Sequence, residues 1–142
     1  MIRLKLSDQC EAVYVFSSLV NPLTGQTCTI DAKIDTGATV SLFPLSSVSD
    51  MGLEIIGETE LLMANGSSLR AYIAMAVVCL SEEDAFEVPI YICKSEREIA
   101  LIGMDILSQC NYSQWHEWKN NEHSLNFMLE VAQEQGSIEK TI

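Results

Sequence analysis

The sequence predicts an all-β chain, mainly antiparallel, with one or two short helices. Three observations point there. Apolar and polar residues alternate with the two-residue period of a half-buried strand in several stretches, Thr29-Ile30-Asp31-Ala32-Lys33-Ile34 among them. Strong turn chemistry divides these stretches, at Asn21-Pro22-Leu23-Thr24-Gly25 and at Asn65-Gly66-Ser67-Ser68. Helix-like runs are confined to two short ones, within residues 44–51 and 105–110. With 142 residues the chain makes one ordinary domain, expected over residues 1–132, followed by a flexible tail over 133–142.

Residues 11–20, rich in β-branched and aromatic side chains, and residues 26–34 form the two arms of a first hairpin. One helical turn follows at 44–51, ended by Gly52. Leu61-Leu62-Met63-Ala64 and Leu69-Arg70-Ala71-Tyr72-Ile73 flank Asn-Gly, the strongest short hairpin signal there is, so a second hairpin turns at Asn65-Gly66. Strands at 72–80 and 86–93 come next, joined by the acidic turn Ser81-Glu82-Glu83-Asp84, with Met75, Val77, Val78, Val88, Ile90 and Ile92 as core residues. Pro89 within the second of them marks an edge or a bulge. Lys94-Ser95-Glu96-Arg97-Glu98 is a charged loop. Residues 115–123 are polar, and Ser124-Leu125-Asn126-Phe127-Met128-Leu129-Glu130 alternates again as a strand.

The stretch that carries chemistry is Ile34-Asp35-Thr36-Gly37-Ala38-Thr39. It sets one carboxylate between an apolar strand and a glycine turn, after which Val40-Ser41-Leu42-Phe43-Pro44 resumes the apolar pattern. The glycine lets the backbone come close to a ligand, so Asp35 stands at a break in the sheet. Alone, Asp-Thr-Gly is also what an Asx turn at a strand end looks like. A second motif lies downstream: Ile99-Ala100-Leu101-Ile102-Gly103-Met104-Asp105-Ile106-Leu107, an apolar strand that meets a glycine and turns into a helix.

Together the two motifs resemble the retropepsin-like aspartic proteases, over roughly residues 10–130. In that family a strand bearing hydrophobic-Asp-Thr/Ser-Gly-Ala is followed by a Leu-Leu-Gly-x-Asp-x-Leu segment. The resemblance implies an acid-protease barrel with one lobe per chain. It also implies a homodimer, because the family's mechanism needs two facing aspartates and this chain holds one Asp-Thr-Gly. The implied activity is aspartic endopeptidase, on a peptide or protein substrate, with no cofactor.

The implied roles map as follows. Asp35 from each subunit is catalytic. Thr36, Gly37 and Ala38 support the catalytic loop, with Gly37 and Ala38 also admitting the substrate backbone. Asn65 and Gly66 stand at the tip of a flap over the bound peptide, and Leu101 and Ile102 line a subsite; Gly103 passes close behind the catalytic loop. In retroviral relatives terminal strands of both subunits interleave, which makes 125–131 the expected interface strand. Retroviral members also pair an Arg after the second-motif Gly with an Asp past Asp-Thr-Gly-Ala. Here those positions are Met104 and Thr39, so both halves of that ion pair are missing together. An alternative function keeps the fold and groove as a catalytically silent, dimeric peptide-binding module; a purely structural domain is a third.

Charge narrows the partners. Twenty acidic against eight basic residues give a net charge of −12 and a pI near 4.3, which argues against nucleic acid and anionic membrane surfaces. The same excess opposes dimerisation near neutral pH and relaxes in mild acid. Cys10, Cys28, Cys79, Cys93 and Cys110 are dispersed without ligand spacing, as expected of thiols in a reducing, cytoplasmic compartment. No long apolar stretch suggests a leader or a membrane span. His116 and His123 lie in a polar segment with Glu117 and Glu122 and are expected to be solvated, so no metal is anticipated.

Overall fold

The computed structural model describes residues 2–5, 13–63, 65–94, 100–120 and 122–131. The tail at 133–142, most of the charged loop at 94–98, and Cys10 lie outside these residues. Ten strands and two short helices make up the rest: β1 Ile2–Lys5, β2 Tyr14–Val20, β3 Thr27–Ile34, β4 Leu42–Pro44, α1 Leu45–Val48, β5 Ile55–Leu62, β6 Ser68–Cys79, β7 Ala85–Cys93, β8 Ala100–Ile102, α2 Met104–Leu107, β9 Cys110–Lys119 and β10 Glu122–Val131.

Seven strands run in the order β2-β3-β8-β4-β7-β6-β5, and β2 also pairs with β6, closing six of them into a barrel with β5 attached outside. Closure removes the exposed edges that an open sheet would leave. The first hairpin is antiparallel from Tyr14↔Lys33 to Val20↔Thr27. Its turn is held by Asn21, almost fully buried, whose amide donates to the Met51 and Gly52 carbonyls at 3.0 and 3.2 Å. That ties the turn to the 3₁₀ turn Ser49–Met51 after α1, which Gly52 ends in the left-handed region at φ 63°. Glycine suits this position because an L side chain there is strained.

The core is built from inward positions of the barrel strands, with Leu19, Phe43, Ile90, Ile92 and Ile102 among its fully buried members. Val78 and Val88 are buried with them, whereas Met75 and Val77 are only half-buried. The strand period explains the difference: on β6 the inward face is taken by Ala74, Ala76 and Val78, so Met75 and Val77 point the other way. Pro89 pairs with Met75 on one side, while the β4 pairing on the other covers only Tyr91 to Cys93. The proline therefore occupies an edge stretch, where a missing N–H costs no ladder bond.

Two expectations for the C-terminal region change. The polar stretch from residue 110 is a full strand, β9, hairpinned onto β10 from Glu122↔Lys119 to Val131↔Cys110. The second sheet has the order β1-β10-β9, which places β10 in its centre. Both hydrogen-bonding edges of β10 are thus taken within the chain over residues 126–129. The expected interleaving through residues 125–131 is corrected accordingly: in this arrangement a partner's strand would have to use the outer edge of β1 or β9.

Candidate active site

Asp35 follows directly on β3, and the second motif is brought beside it by the parallel pairing of β3 with β8, Ala32↔Ala100, Lys33↔Leu101 and Ile34↔Ile102. The ladder continues one step further, the Asp35 N–H donating to the Ile102 carbonyl at 2.9 Å. The loop then folds on itself. Gly37 donates its N–H to Asp35 Oδ1 at 2.9 Å, and Ala38 donates to the Asp35 carbonyl at 3.2 Å. The carboxylate is half-buried, while Thr36 and Gly37 are exposed. An acid held by one backbone donor, with its other oxygen open, is placed to accept from a ligand or a water.

Gly103 packs against the back of this loop so closely that a Cβ there would stand 2.5 Å from the Val40 carbonyl oxygen and 2.8 Å from that of Ala38. Its φ of −103° is open to any residue, so the requirement is steric. Met104 and Asp105 donate their N–H groups to the carbonyls of Ala38 and Thr39 at 2.8 and 3.2 Å. A side-chain tie adds to these. Ser41, fully buried, donates its hydroxyl to Asp105 Oδ1 at 2.7 Å and its N–H to Asp105 Oδ2 at 2.9 Å, and its Oγ accepts from the Gly103 N–H at 3.0 Å. Asp105 Oδ1 also accepts from the Ile106 N–H at 2.9 Å. Where retroviral relatives use an ion pair, Met104 and Thr39 contribute backbone groups here, and the link is carried by Ser41 and Asp105.

A cleft of about 420 Å³ opens over Asp35. Gly37, Ala38, Thr39, Val40, Leu42 and Leu101 form its floor and one wall, and Glu60, Leu61, Leu62 and Met63 on the arm of the β5–β6 hairpin form the other. Of the residues singled out from the sequence, Asp35, Gly37, Ala38 and Leu101 thus meet at the cleft. Ile102 is fully buried in the core behind it. Asn65 and Gly66 stand exposed at the hairpin tip, where Gly66 has φ 85° and Asn65 Oδ1 accepts from the Ser67 N–H at 2.9 Å; the strand arm rather than the tip borders the cleft. The sequence alone marks Thr39 only for the missing ion pair and assigns no site role to Ser41, Asp105, Val40, Leu42 or residues 60–63. For the last group a signal existed, since three consecutive apolar residues at the end of a hairpin arm need a surface to face.

Among the described residues no three His, Cys, Asp or Glu side chains cluster as a metal site would require, and the side chains of His116 and His123 lie outside those described. No helix among the described residues is long and apolar enough to cross a membrane. Cys28, Cys79 and Cys110 are free thiols. Burial raises the Cys110 thiol to about 11, with the Asp84 charge adding to the shift, and burial likewise raises Cys28.

No family model and no curated protein matches the chain. Solved structures do. The retropepsin-like aspartic protease of Rickettsia conorii superposes with a TM-score of 0.56 over 92% of this chain and 91% of its own, at 14% identity. The EIAV protease complexed with the inhibitor HBY-793 superposes with a TM-score of 0.53 over 72% of this chain and 91% of its own, at 10% identity. The barrel, the turn at Asp35 and the parallel return of the second motif beside it together make this a retropepsin-like fold.

Proposed function

We propose that the chain is an aspartic endopeptidase, active as a homodimer in which Asp35 from two copies meets across a two-fold axis. The observation that carries this reading is the half-buried Asp35 carboxylate on the floor of an open, largely apolar cleft, with one oxygen held by the Gly37 N–H. Two such carboxylates in contact cannot both ionise cheaply, so the pair holds one proton between them. The ionised partner takes a proton from a bound water as that water's oxygen attacks the peptide carbonyl carbon. The protonated partner gives its proton to the carbonyl oxygen, which yields a tetrahedral diol without a covalent enzyme intermediate. Proton transfer to the amide nitrogen then releases the two product chains. The pair titrates as a unit, and activity peaks in mild acid.

Thr36 holds the two loops in register, and Gly37 and Ala38 leave room for an extended peptide bound as an added strand. Residues 60–63, together with Asn65 and Gly66, act as a flap that closes over it, and Leu101 supports an apolar subsite. The same acidity that limits association at neutral pH weakens in mild acid, so dimerisation and catalysis favour the same range.

The test is digestion of an unfolded protein mixture across roughly pH 3–7, wild type against Asp35→Asn, with fragments read by mass spectrometry. Cleavage by the wild type alone supports the endopeptidase. Cleavage by neither, with both proteins dimeric in sedimentation, overturns it in favour of the silent peptide-binding module.

A further inference from the structure

The cleft walls are mostly apolar, and Asp35 and Glu60 are the charged residues that line it among those described. The residue directly across from Glu60 on β6 is Arg70, the side chain best placed to neutralise it. Arg70 instead turns its Nε to Glu58 Oε1, two residues back on β5, at 2.5 Å. Glu60 makes no ion pair with a described residue. An exposed carboxylate without a counter-ion among the described residues therefore borders a mostly apolar groove, beside exposed Leu62 and half-buried Leu61 and Met63.

We propose that Glu60 is a specificity residue, and that this cleft selects peptides carrying a lysine or arginine next to apolar residues; the proposal rests on the cleft being the peptide groove. An extended peptide presents alternate side chains to each wall, so one of them faces β5. A lysine or arginine there lays its methylene stem along Leu62, which shares a face of β5 with Glu60, and brings its charged head to Glu60, whereas an acidic side chain meets like charge. The bound peptide also covers Glu60 and lowers the local dielectric, which strengthens the pair beyond an open surface contact. At long range the net charge of −12 draws cationic peptides in and repels acidic ones. In a two-fold assembly each copy supplies one Glu60, so the preference repeats on both sides of the bond attacked.

The experiment passes a pooled library of random decapeptides, each with a central apolar pair, over immobilised Asp35→Asn protein at pH 5, so that binding is read without cleavage. The retained peptides are compared with those retained by Asp35→Asn/Glu60→Gln, Asp35→Asn/Glu60→Lys and Asp35→Asn/Glu83→Gln. Glu83 lies exposed in the 81–84 turn away from the cleft, and its substitution changes net charge equally. Enrichment of lysine and arginine over glutamine by about tenfold is expected, lost with Glu60→Gln, turned toward acidic residues with Glu60→Lys, and kept with Glu83→Gln. No basic enrichment, an enrichment that survives Glu60→Gln, or one lost equally with Glu83→Gln overturns the proposal. Wild-type protein digesting the same library separates the two claims: selective binding without cleavage keeps Glu60 and overturns the endopeptidase, and cleavage without basic preference does the reverse. Retention of no peptide, with no cleavage by the wild type, overturns both.

Discussion

Ser41 and Asp105, 64 residues apart in sequence, are joined by two hydrogen bonds of 2.7 and 2.9 Å, and the same serine oxygen accepts the Gly103 N–H at 3.0 Å. This one contact fastens the segment that packs behind the Asp35 loop to the stretch that leaves it. Ser41→Ala removes the hydroxyl from Asp105 and leaves a buried N–H without its acceptor. The expected cost is about 2–3 kcal/mol, hydrogen bonds to a charged group lying at the upper end of the range. Thermal melting should fall by roughly 5–10 °C. If the proposed activity is present, kcat/KM should fall by about tenfold or more as the loop loses its position. An unchanged melting curve would mean that the backbone bonds hold the loop alone.

Gly103→Ala tests the steric half of the same joint. The added methyl would lie 2.5 Å from one backbone oxygen and 2.8 Å from another, and backbone cannot swing aside as a side-chain end can. A loss of about 2–4 kcal/mol by urea denaturation is expected. Gly66→Ala contrasts with it: nothing lies within 4 Å of the added methyl, and only the φ of 85° opposes the change. A smaller loss, about 1 kcal/mol, is expected there.

The β10 strand gives a third prediction. Leu129 is fully buried and pairs with Ile2 on one side and Tyr112 on the other, so the strand holds its sheet together from the centre. Leu129→Ala should cost about 2–4 kcal/mol. Truncation before residue 122 should yield a destabilised chain rather than a well-folded monomer, as read by circular dichroism and sedimentation together. A truncated chain that melts like the full one would show the central placement to be energetically idle.

Cys110 sets an alkaline limit. Its thiol titrates higher in the folded chain, at about 11, than in the unfolded chain, where a cysteine ionises near 8.5–9. Below the unfolded value both states are protonated and the contribution to stability is intact. As pH rises from about 9 to 11 the unfolded chain releases the proton first, and stability falls until the folded thiol also ionises. The loss should amount to about 1–2 kcal/mol, allowing for partial access of solvent. Melts at pH 8 and pH 10.5 should therefore diverge less for Cys110→Ala than for the wild type.

Much of the barrel was legible because its signals are local. The turn at 21–25, the Asn65-Gly66 turn and the alternation before Asp35 need only neighbours in sequence to be read. Strand β9 escaped because its described residues include exposed Asn111, Tyr112, Ser113 and Trp118, so no apolar alternation marks it; its partner β10 supplies the pattern. The Ser41–Asp105 tie escaped for a different reason. It exists only once β3 and β8 run in parallel side by side, and nothing in either residue alone announces the other. The hairpin tip was legible as a turn, yet which part of the hairpin borders the cleft depends on how far β5 projects along the barrel, a property of the sheet and not of the turn.

The most direct test of the proposed two-fold active site is a mixing experiment. Wild-type and Asp35→Asn chains are combined at fixed total concentration, allowed to exchange, and assayed on a cleavable peptide at pH 5. A site that needs Asp35 from both copies makes every mixed dimer inactive, so activity should follow the square of the wild-type fraction and stand at about a quarter in an equal mixture. Activity that falls only in proportion, to about half, would mean that each chain works with its own Asp35, and would contradict the shared site.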